Sequence, residues 1–493
     1  MSKCLLKGDV RYLVAVLALL GIITFFLILA PAKDTFLPPG TKYGLVFDAG
    51  STHTALYIYQ WPADKENDTG IVSQVEACTV PGPGISSYAD NPALAGASLK
   101  PCLDKAMMIV PAKLQRETPT YLGATAGMRL LREQNSTKAD QVFAEVAKAI
   151  RQYPVDFRGA QILTGNEEGS FGWITVNYLL ETLIKFSFAE KWERPQATEV
   201  LGALDLGGAS TQITFQPGGT IEDKNTSVLF RLYGTNYSLY THSYLCYGQT
   251  QALKRLLAAL REVLEMGPAP GYQENTTTAA LYDSPCVPTP STPSTAEALT
   301  VTGTGDPVAC RAAIQKLFNF TCGAHRTCGF NGIYQPPVRG QFFAFSGLYY
   351  DLHFLNLTRG QSLSSVNATI WDFCARDWEK KEFPDVDKTY LRNYCAASSY
   401  VLTLLLQGYK FNDKTWPNIH FIQKVANTDV SWTLGYMLNL TNMIPLETSQ
   451  RGIELQRSNW TAATITLLIM LFLCFWLFMA TCHQRKLASY ETF

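Results

Sequence analysis

Two stretches far apart in the chain repeat one local design. Gly44-Leu45-Val46-Phe47-Asp48-Ala49-Gly50-Ser51-Thr52-His53-Thr54 is echoed by Gly202-Ala203-Leu204-Asp205-Leu206-Gly207-Gly208-Ala209-Ser210-Thr211-Gln212. In each, an apolar strand ends in Asp, a glycine turn with small hydroxyl residues follows, and a second strand begins, ALYIY in one copy and ITF in the other. A duplicated supersecondary unit implies two similar lobes. The rest of the chain alternates short apolar strands with longer helical stretches, which argues for an α/β architecture over a sandwich. Tyr43–Phe47, Ala55–Tyr59 and Tyr121–Thr125 are predicted strands, the last running into a helix at Ala126. Ile174–Phe186 and Gln251–Met266 have helical apolar spacing. Ser284–Pro307, rich in Pro, Thr, Ser and Gly, is predicted to be an exposed loop anchored by Cys286 and Cys310.

The two ends carry a different signal. Tyr12–Ala30 and Trp460–Cys482 contain no charged residue. Each is long enough to span a bilayer, since about 20 apolar residues rising 1.5 Å apiece cover a hydrocarbon core of roughly 30 Å. A cleaved signal peptide is the alternative for the first run, and Ala30-Pro31-Ala32 imitates a cleavage site; the run is, however, longer than an ordinary signal-peptide core. Lys3, Lys7 and Arg11 precede the first run, and Arg485 and Lys486 follow the second, so both termini are expected in the cytoplasm. Everything between them then faces the exterior or the secretory lumen.

Two independent features agree with that topology. Sequons stand at Asn67, Asn135, Asn225, Asn236, Asn275, Asn319, Asn356, Asn367 and Asn439, all expected to carry glycan, and at Asn459 directly beside the second run; none lies outside the intervening segment. Nine of the twelve cysteines also fall there, Cys78, Cys102, Cys246, Cys286, Cys310, Cys322, Cys328, Cys374 and Cys395, without the paired spacing of a zinc site. They read as disulfides of an oxidising compartment, and an odd count leaves one without a partner in its own chain. At 493 residues the chain suits two or three compact units. Lys+Arg and Asp+Glu are equal at 41 each, which removes the basic excess expected of a nucleic-acid binder.

A strand that delivers a carboxylate and then turns through glycine suits a polyphosphate. Without Cβ atoms in the way, backbone N–H groups approach phosphate oxygens and form an anion-binding concavity. Asp48 and Asp205 would repel the phosphates unless a hydrated cation, Ca²⁺ or Mg²⁺, lay between. Between the two copies, Gly165-Asn166-Glu167-Glu168-Gly169-Ser170-Phe171-Gly172-Trp173 leads into the helix at Ile174, and a carboxylate there can draw a proton from a water aligned with a terminal phosphate. Glu168 is the candidate base, with Glu167 as its rival. Thr125 can bond a phosphate or a metal-bound water; Arg129 is expected in a structural surface ion pair, with phosphate neutralisation as the alternative.

Taken together, DAGSTHT (Asp48–Thr54), ATAGMR (Ala124–Arg129), GNEEGSFGW (Gly165–Trp173), DLGGASTQ (Asp205–Gln212), AFSGLYY (Ala344–Tyr350) and SWTLGYMLNLT (Ser431–Thr441) closely resemble the ordered motifs of the ecto-nucleoside triphosphate diphosphohydrolases, or ecto-apyrases. The resemblance implies two ribonuclease-H-like lobes of the actin/Hsp70/sugar-kinase superfamily with the nucleotide in the cleft between them. It implies hydrolysis of extracellular ATP, ADP and other nucleotides, with Glu168 as general base and Ser210 and Gln212 positioning the attacking water. Asp48, Asp205, Glu168 and Trp432 would surround the Ca²⁺ or Mg²⁺, mostly through water. Ser51, Thr52, His53, Thr125, Gly207, Gly208 and Ala209 would line the phosphates, and Tyr350 and Tyr394 would sandwich the base.

The resemblance also implies the pairs Cys78–Cys102, Cys246–Cys286, Cys322–Cys328 and Cys374–Cys395. Met266–Gln273 has no cysteine where relatives place a partner for Cys310, which is therefore the expected free thiol. Gln249 stands where relatives often have Arg near the base pocket. The division that follows is 1–11 cytoplasmic, 12–30 membrane helix, 31–163 lobe I, 164–425 lobe II, 426–459 a return to lobe I and the membrane, 460–482 membrane helix and 483–493 cytoplasmic. Two free-standing spans also offer a route to homo-oligomers. A sugar-type kinase on the same fold, or a nucleotide-gated receptor, are the competing readings; phosphate release without an acceptor discriminates against both.

Overall fold

In the computed structural model, the described residues are 12, 15–26, 33–36, 40–187, 190–195, 199–262, 273–288, 298–302, 304–323, 327–376, 391–444, 451–454 and 457–490. Residues 41–446 form one compact unit, and the described parts of 1–40 and 447–493 form another.

The larger unit holds two sheets of matching topology. The first comprises β1 (Thr41–Ala49), β2 (Thr54–Pro62), β3 (Ser73–Thr79), β4 (Pro119–Ala124) and β5 (Asp156–Ile162), in the order β3-β2-β1-β4-β5. Strands β1, β2 and β3 pair antiparallel, while β1, β4 and β5 run parallel. The second sheet comprises β6 (Gly202–Leu206), β7 (Ser210–Phe215), β8 (Ser227–Leu232), β9 (Thr235–Leu245), β10 (Phe342–Ser346) and β11 (Ile419–Phe421), in the order β8-β9-β7-β6-β10-β11. Here β6, β7 and β9 pair antiparallel, and β6, β10 and β11 run parallel. With β8 set aside as an added edge, the two sheets superpose strand for strand in connectivity, and β1 answers β6. Leu45, Val46 and Phe47 of β1 are fully buried; a strand covered on both faces needs such an uninterrupted apolar run.

Helices close the faces of the sheets. The helices that matter to the site are α1 (Ala126–Gln134), α2 (Ser136–Ile150), α3 (Gly165–Leu179), α4 (Gln249–Glu262), α5 (Gly347–Phe354), α6 (Leu363–Ala375), α7 (Tyr394–Thr403) and α8 (Trp432–Thr441). Ala139, Val142, Val146 and Ile150 are buried along one stripe of α2, the spacing of a helix with one covered face. By contrast, α3 buries every residue from Glu168 to Asn177. It lies against α8 so closely that a Cβ on Gly435 would sit 1.9 Å from Phe171 O. Thr175 Oγ1 fastens the crossing by donating to Ser431 O at 2.6 Å and accepting from Gly435 N at 2.8 Å. One apolar cluster accordingly joins Val46 and Trp61 of the first sheet, Trp173 of α3, Phe345 of the second sheet and Met437 of α8.

Disulfides join Cys78 to Cys102, Cys246 to Cys286, Cys322 to Cys328 and Cys374 to Cys395, and Cys310 is a half-buried free thiol. Asn67, Asn135, Asn225, Asn236, Asn319 and Asn356 are exposed, whereas Asn367 and Asn439 are half-buried; the side chain of Asn275 lies outside the described residues.

Two expectations are corrected. The Ser284–Pro307 tract is not loop throughout, because Ala298–Thr302 pairs antiparallel with Gln273–Thr277; ALTVT is a Pro-free, β-branched run inside that tract. The helix expected from Ile174 begins at Gly165, where a capping box outranks the apolar spacing. Among the described residues, one helix is long and apolar enough to cross a membrane, Asn459–Leu477 with mean hydropathy 2.1, while Ala15–Phe26 is a shorter apolar helix. The remainder of the first apolar run, 13–14 and 27–30, lies outside the described residues, as do 263–266 of the second expected helix.

Candidate active site

Asp48 lies near the end of β1 and Asp205 near the end of β6, each an inner strand of its sheet. The turns that follow these strands face each other: a Cβ on Gly208 would stand 2.6 Å from Ser51 Oγ and 2.7 Å from Thr52 Cγ2. Each turn is held from behind by backbone bonds. Gly84 N donates to Thr52 O and Thr125 N to Ala49 O, both at 3.1 Å. Around the second turn, Cys246 N donates to Ala209 O at 2.9 Å, Gln249 N to Gly207 O at 2.8 Å and Gln251 N to Gly208 O at 3.1 Å. Gly248 is required at that contact, because a Cβ would come within 2.3 Å of both Ala209 N and Ser210 N. Thr125 is buried at the start of α1, and its carbonyl accepts from Met128 N and Arg129 N at 3.1 Å. His53 is exposed, with Nδ1 3.1 Å from Thr52 Oγ1.

The start of α3 separates the two rival glutamates. Thr164 Oγ1 accepts from Glu167 N at 3.2 Å, and Glu167 Oε2 accepts from Thr164 N at 2.8 Å. This reciprocal box commits Glu167 to the helix end and turns Glu168 inward, where only 8% of its side chain is exposed. Glu168 Oε2 accepts from Gln212 Nε2 at 3.1 Å and from Arg129 Nη2. Arg129 Nη2 also donates to Ser210 Oγ at 3.3 Å, and Gln212 Nε2 donates to Ser210 Oγ at 2.7 Å and Ser243 Oγ at 3.1 Å. The surface ion pair expected of Arg129 is therefore corrected: its side chain is 14% exposed and its partner is Glu168. Gly165 makes room for it, since a Cβ there would lie 2.6 Å from Arg129 Nη1.

The charge of Glu168 acts on both Asp48 and Asp205. Burial pushes the Asp48 carboxyl up to about 7; the charge of Glu168 adds to the rise and the Trp432 indole opposes it. Burial pushes Asp205 up to about 8, with Glu168 and Asp48 adding to it and the Ser346 hydroxyl opposing. Glu168 is raised by burial and held back by Arg129. Two aspartates raised by burial and by the same Glu168 charge share one poorly solvated space with it. Asp205 Oδ1 is buried there without a hydrogen-bond partner. Among the described residues, no group of three or more His, Cys, Asp or Glu side chains converges to hold a metal directly. The arrangement thus fits a hard cation that keeps much of its water, with the two aspartates and the indole N–H around it. Trp432 reaches the space because β4 carries Gly123, where a Cβ would lie 2.3 Å from the indole ring.

The two tyrosines expected to sandwich the nucleobase lie on α5 and α7. Tyr350, on α5, is 52% exposed, and its hydroxyl accepts from Gln423 Nε2 at 3.2 Å. Tyr394, at the start of α7, stacks on Phe354 with ring centroids 3.8 Å apart and planes 4° from parallel. Gln249 Nε2 donates to Asp351 Oδ1 at 2.8 Å.

Sequence reasoning passed over Ser243 and Ser346. Ser346 carries a φ of 56° at the junction of β10 and α5 and places its hydroxyl on Asp205; a strained non-glycine backbone beside a site is a mark of function. The Ser-Gly at the strand end in AFSGLYY was the available signal. For Ser243, reached only through the pairing of β7 with β9, no local signal existed.

The GDA1/CD39 (nucleoside phosphatase) family matches residues 36–456 of the chain. Ectonucleoside triphosphate diphosphohydrolase 8 of Gallus gallus is 69% identical over 473 residues, covering 92% of this chain and 96% of that protein. The Homo sapiens protein of the same name is 51% identical over 463 residues, covering 92% and 93%. Gln335–Leu357 and Ser364–Cys374 raise the expectation of type 8 with type 2 next; type 8 is borne out, whereas the Homo sapiens type 3 and type 2 proteins stand level, at 41% identity over 500 residues and 42% over 495. Among solved structures, nucleoside triphosphate hydrolases from Neospora caninum share the fold at a TM-score of 0.61 and 14% identity, covering 94% of this chain and 99% of that one.

Proposed function

This chain belongs to the GDA1/CD39 (nucleoside phosphatase) family, and we propose that Glu168 is the base with which it activates water. The reaction is hydrolysis of extracellular nucleoside tri- and diphosphates, ATP and ADP among them, to the monophosphate and inorganic phosphate. The observation that supports the proposal most is the shared buried space of Asp48, Asp205 and Glu168 between two facing glycine turns.

Glu168 takes a proton from water as the water attacks the terminal phosphorus in line. Ser210 and Gln212, both bonded to the network around Glu168 Oε2, orient that water. Arg129 keeps Glu168 ionised for the task. Backbone N–H groups at Gly207, Gly208 and Ala209, with Ser51, Thr52, His53 and Thr125, hold the phosphates and stabilise charge in the transition state. Asp48, Asp205, Glu168 and Trp432 would hold a hydrated Ca²⁺ or Mg²⁺, which when bound neutralises phosphate charge and polarises the reacting group. Tyr350 and Tyr394 flank the base, and stacking tolerates many bases because each offers a π-face.

The helix containing Asn459–Leu477 supports membrane attachment. The fuller topology proposed is a second span at 12–30, both termini cytoplasmic and the sequon-bearing segment outside, at the plasma membrane. Nucleotide binding by purified Glu168→Gln protein, with turnover reduced by about 10² or more, tests the base. Near-normal phosphate release from that variant would overturn it.

A further inference from the structure

Asp351 is a buried acid for which the proposed hydrolysis has no use. It is 2% exposed on α5, next to Tyr350, and burial pushes its carboxyl up to about 7 against the opposing hydrogen bond from Gln249. Oδ1 accepts from Gln249 Nε2 at 2.8 Å, while Oδ2 is buried without a partner. A carboxyl so poorly satisfied costs stability, so its position between functional elements is informative.

Gln249 is the other half of that position. It opens α4, and its backbone N–H donates to Gly207 O in the second phosphate turn at 2.8 Å. Its side chain crosses to α5, where a Cβ on Gly347 would meet Gln249 Oε1 at 3.0 Å and Leu206 O at 2.8 Å. The helix carrying Tyr350 therefore begins in close contact with both the phosphate turn and Gln249. The Tyr350 side chain is also met by the bond from Gln423, on the exposed segment after β11, and by an edge-on contact with the Tyr349 ring.

We infer that the Gln249–Asp351 hydrogen bond is a strut that positions Tyr350 against the second phosphate turn and thereby sets affinity for the nucleoside half of the substrate. The inference rests on the reading of Tyr350 as a base-stacking residue. Asp351 is a positioning residue here, acting through its neighbour. Side-chain substitution leaves the backbone bond from Gln249 N to Gly207 O in place, so the strut can be broken without removing that hold on the phosphate turn.

The test is steady-state kinetics on purified wild type, Asp351→Asn, Asp351→Leu and the double variant Gln249→Leu/Asp351→Leu, with inorganic tripolyphosphate as a base-free competitor. Replacing both partners by apolar groups removes the strut while sparing the fold an unpaired polar group. The expected result is a KM for ATP about tenfold higher in Asp351→Leu and in the double variant, the size of one hydrogen bond. Their kcat and the inhibition constant of tripolyphosphate stay near wild type. Asp351→Asn, which keeps an acceptor for Gln249, stays near wild type in all three. An unchanged KM in the double variant overturns the strut, and so does a loss in which kcat and the tripolyphosphate constant move together with KM. Absence of ATP hydrolysis by the wild type would instead overturn the proposed function.

Discussion

Arg129 Nη2 and Glu168 Oε2 are hydrogen-bonded to each other, and the same Arg129 nitrogen reaches Ser210 Oγ at 3.3 Å. The pair links α1, which follows the fourth strand of the first sheet, to α3, which joins the two sheets. One guanidinium thereby sets both the charge and the orientation of the candidate base.

That arrangement predicts a shift in the acid limb of the rate profile. Burial raises the Glu168 carboxyl and Arg129 opposes the rise, so removing the cation lets the carboxyl hold its proton to higher pH. In Arg129→Met the acid limb of kcat/KM should move upward, with kcat at neutral pH lower by on the order of 10² and partial recovery at alkaline pH. An unmoved limb would show that Arg129 does not govern the ionisation of Glu168.

Gly208→Ala tests the facing of the two turns. The added Cβ would fall 2.6 Å from Ser51 Oγ and 2.7 Å from Thr52 Cγ2, so those side chains, or the turns that carry them, must shift. A displacement of even about 1 Å at reacting groups can reduce rate by roughly 10². The expected outcome is such a loss in kcat with a thermal midpoint within a few degrees of wild type; full activity would mean that the turns do not jointly hold the phosphates.

Gly435→Ala should act on stability instead. Its Cβ would lie 1.9 Å from Phe171 O, in the α3–α8 crossing where neither backbone has a flexible side chain to move aside. Overpacking of this kind costs about 1–3 kcal/mol, read as a lower midpoint in denaturant unfolding with the slope unchanged. A midpoint equal to wild type would contradict the close crossing.

The division between what sequence revealed and what it concealed follows interaction range. Asp48 and Asp205 were legible because strand, carboxylate and glycine turn are adjacent in the chain, and the two copies repeat one another. The choice between Glu167 and Glu168 was half-legible: Thr164-Gly165-Asn166-Glu167 is a capping-box sequence, but its significance lies in freeing Glu168 to face inward. Arg129 with Glu168, and Gln249 with Asp351, depend on which helix starts come together, and no local pattern encodes that. The Ala298–Thr302 strand was hidden by the Pro and Ser content around it, since composition averages over the short run that pairs.

Asp48 and Asp205 predict how pH and metal act together on stability. Asp48 at about 7 and Asp205 at about 8 lie above the usual carboxylate range. The folded state therefore keeps protons that the unfolded chain has released, between about pH 4 and pH 8. Stability from these groups is complete below that window and falls as pH rises through it. A divalent cation binds the ionised carboxylates, so its stabilising effect should grow across the same window. In chelator-treated protein the thermal midpoint should fall between about pH 5.5 and 8.5, and saturating Ca²⁺ should raise it more at the higher value. Asp48→Asn/Asp205→Asn, measured alongside to subtract other titrations, should flatten the pH dependence and most of the Ca²⁺ response. A Ca²⁺ increment of equal size at both pH values in wild type would place the cation away from Asp48 and Asp205.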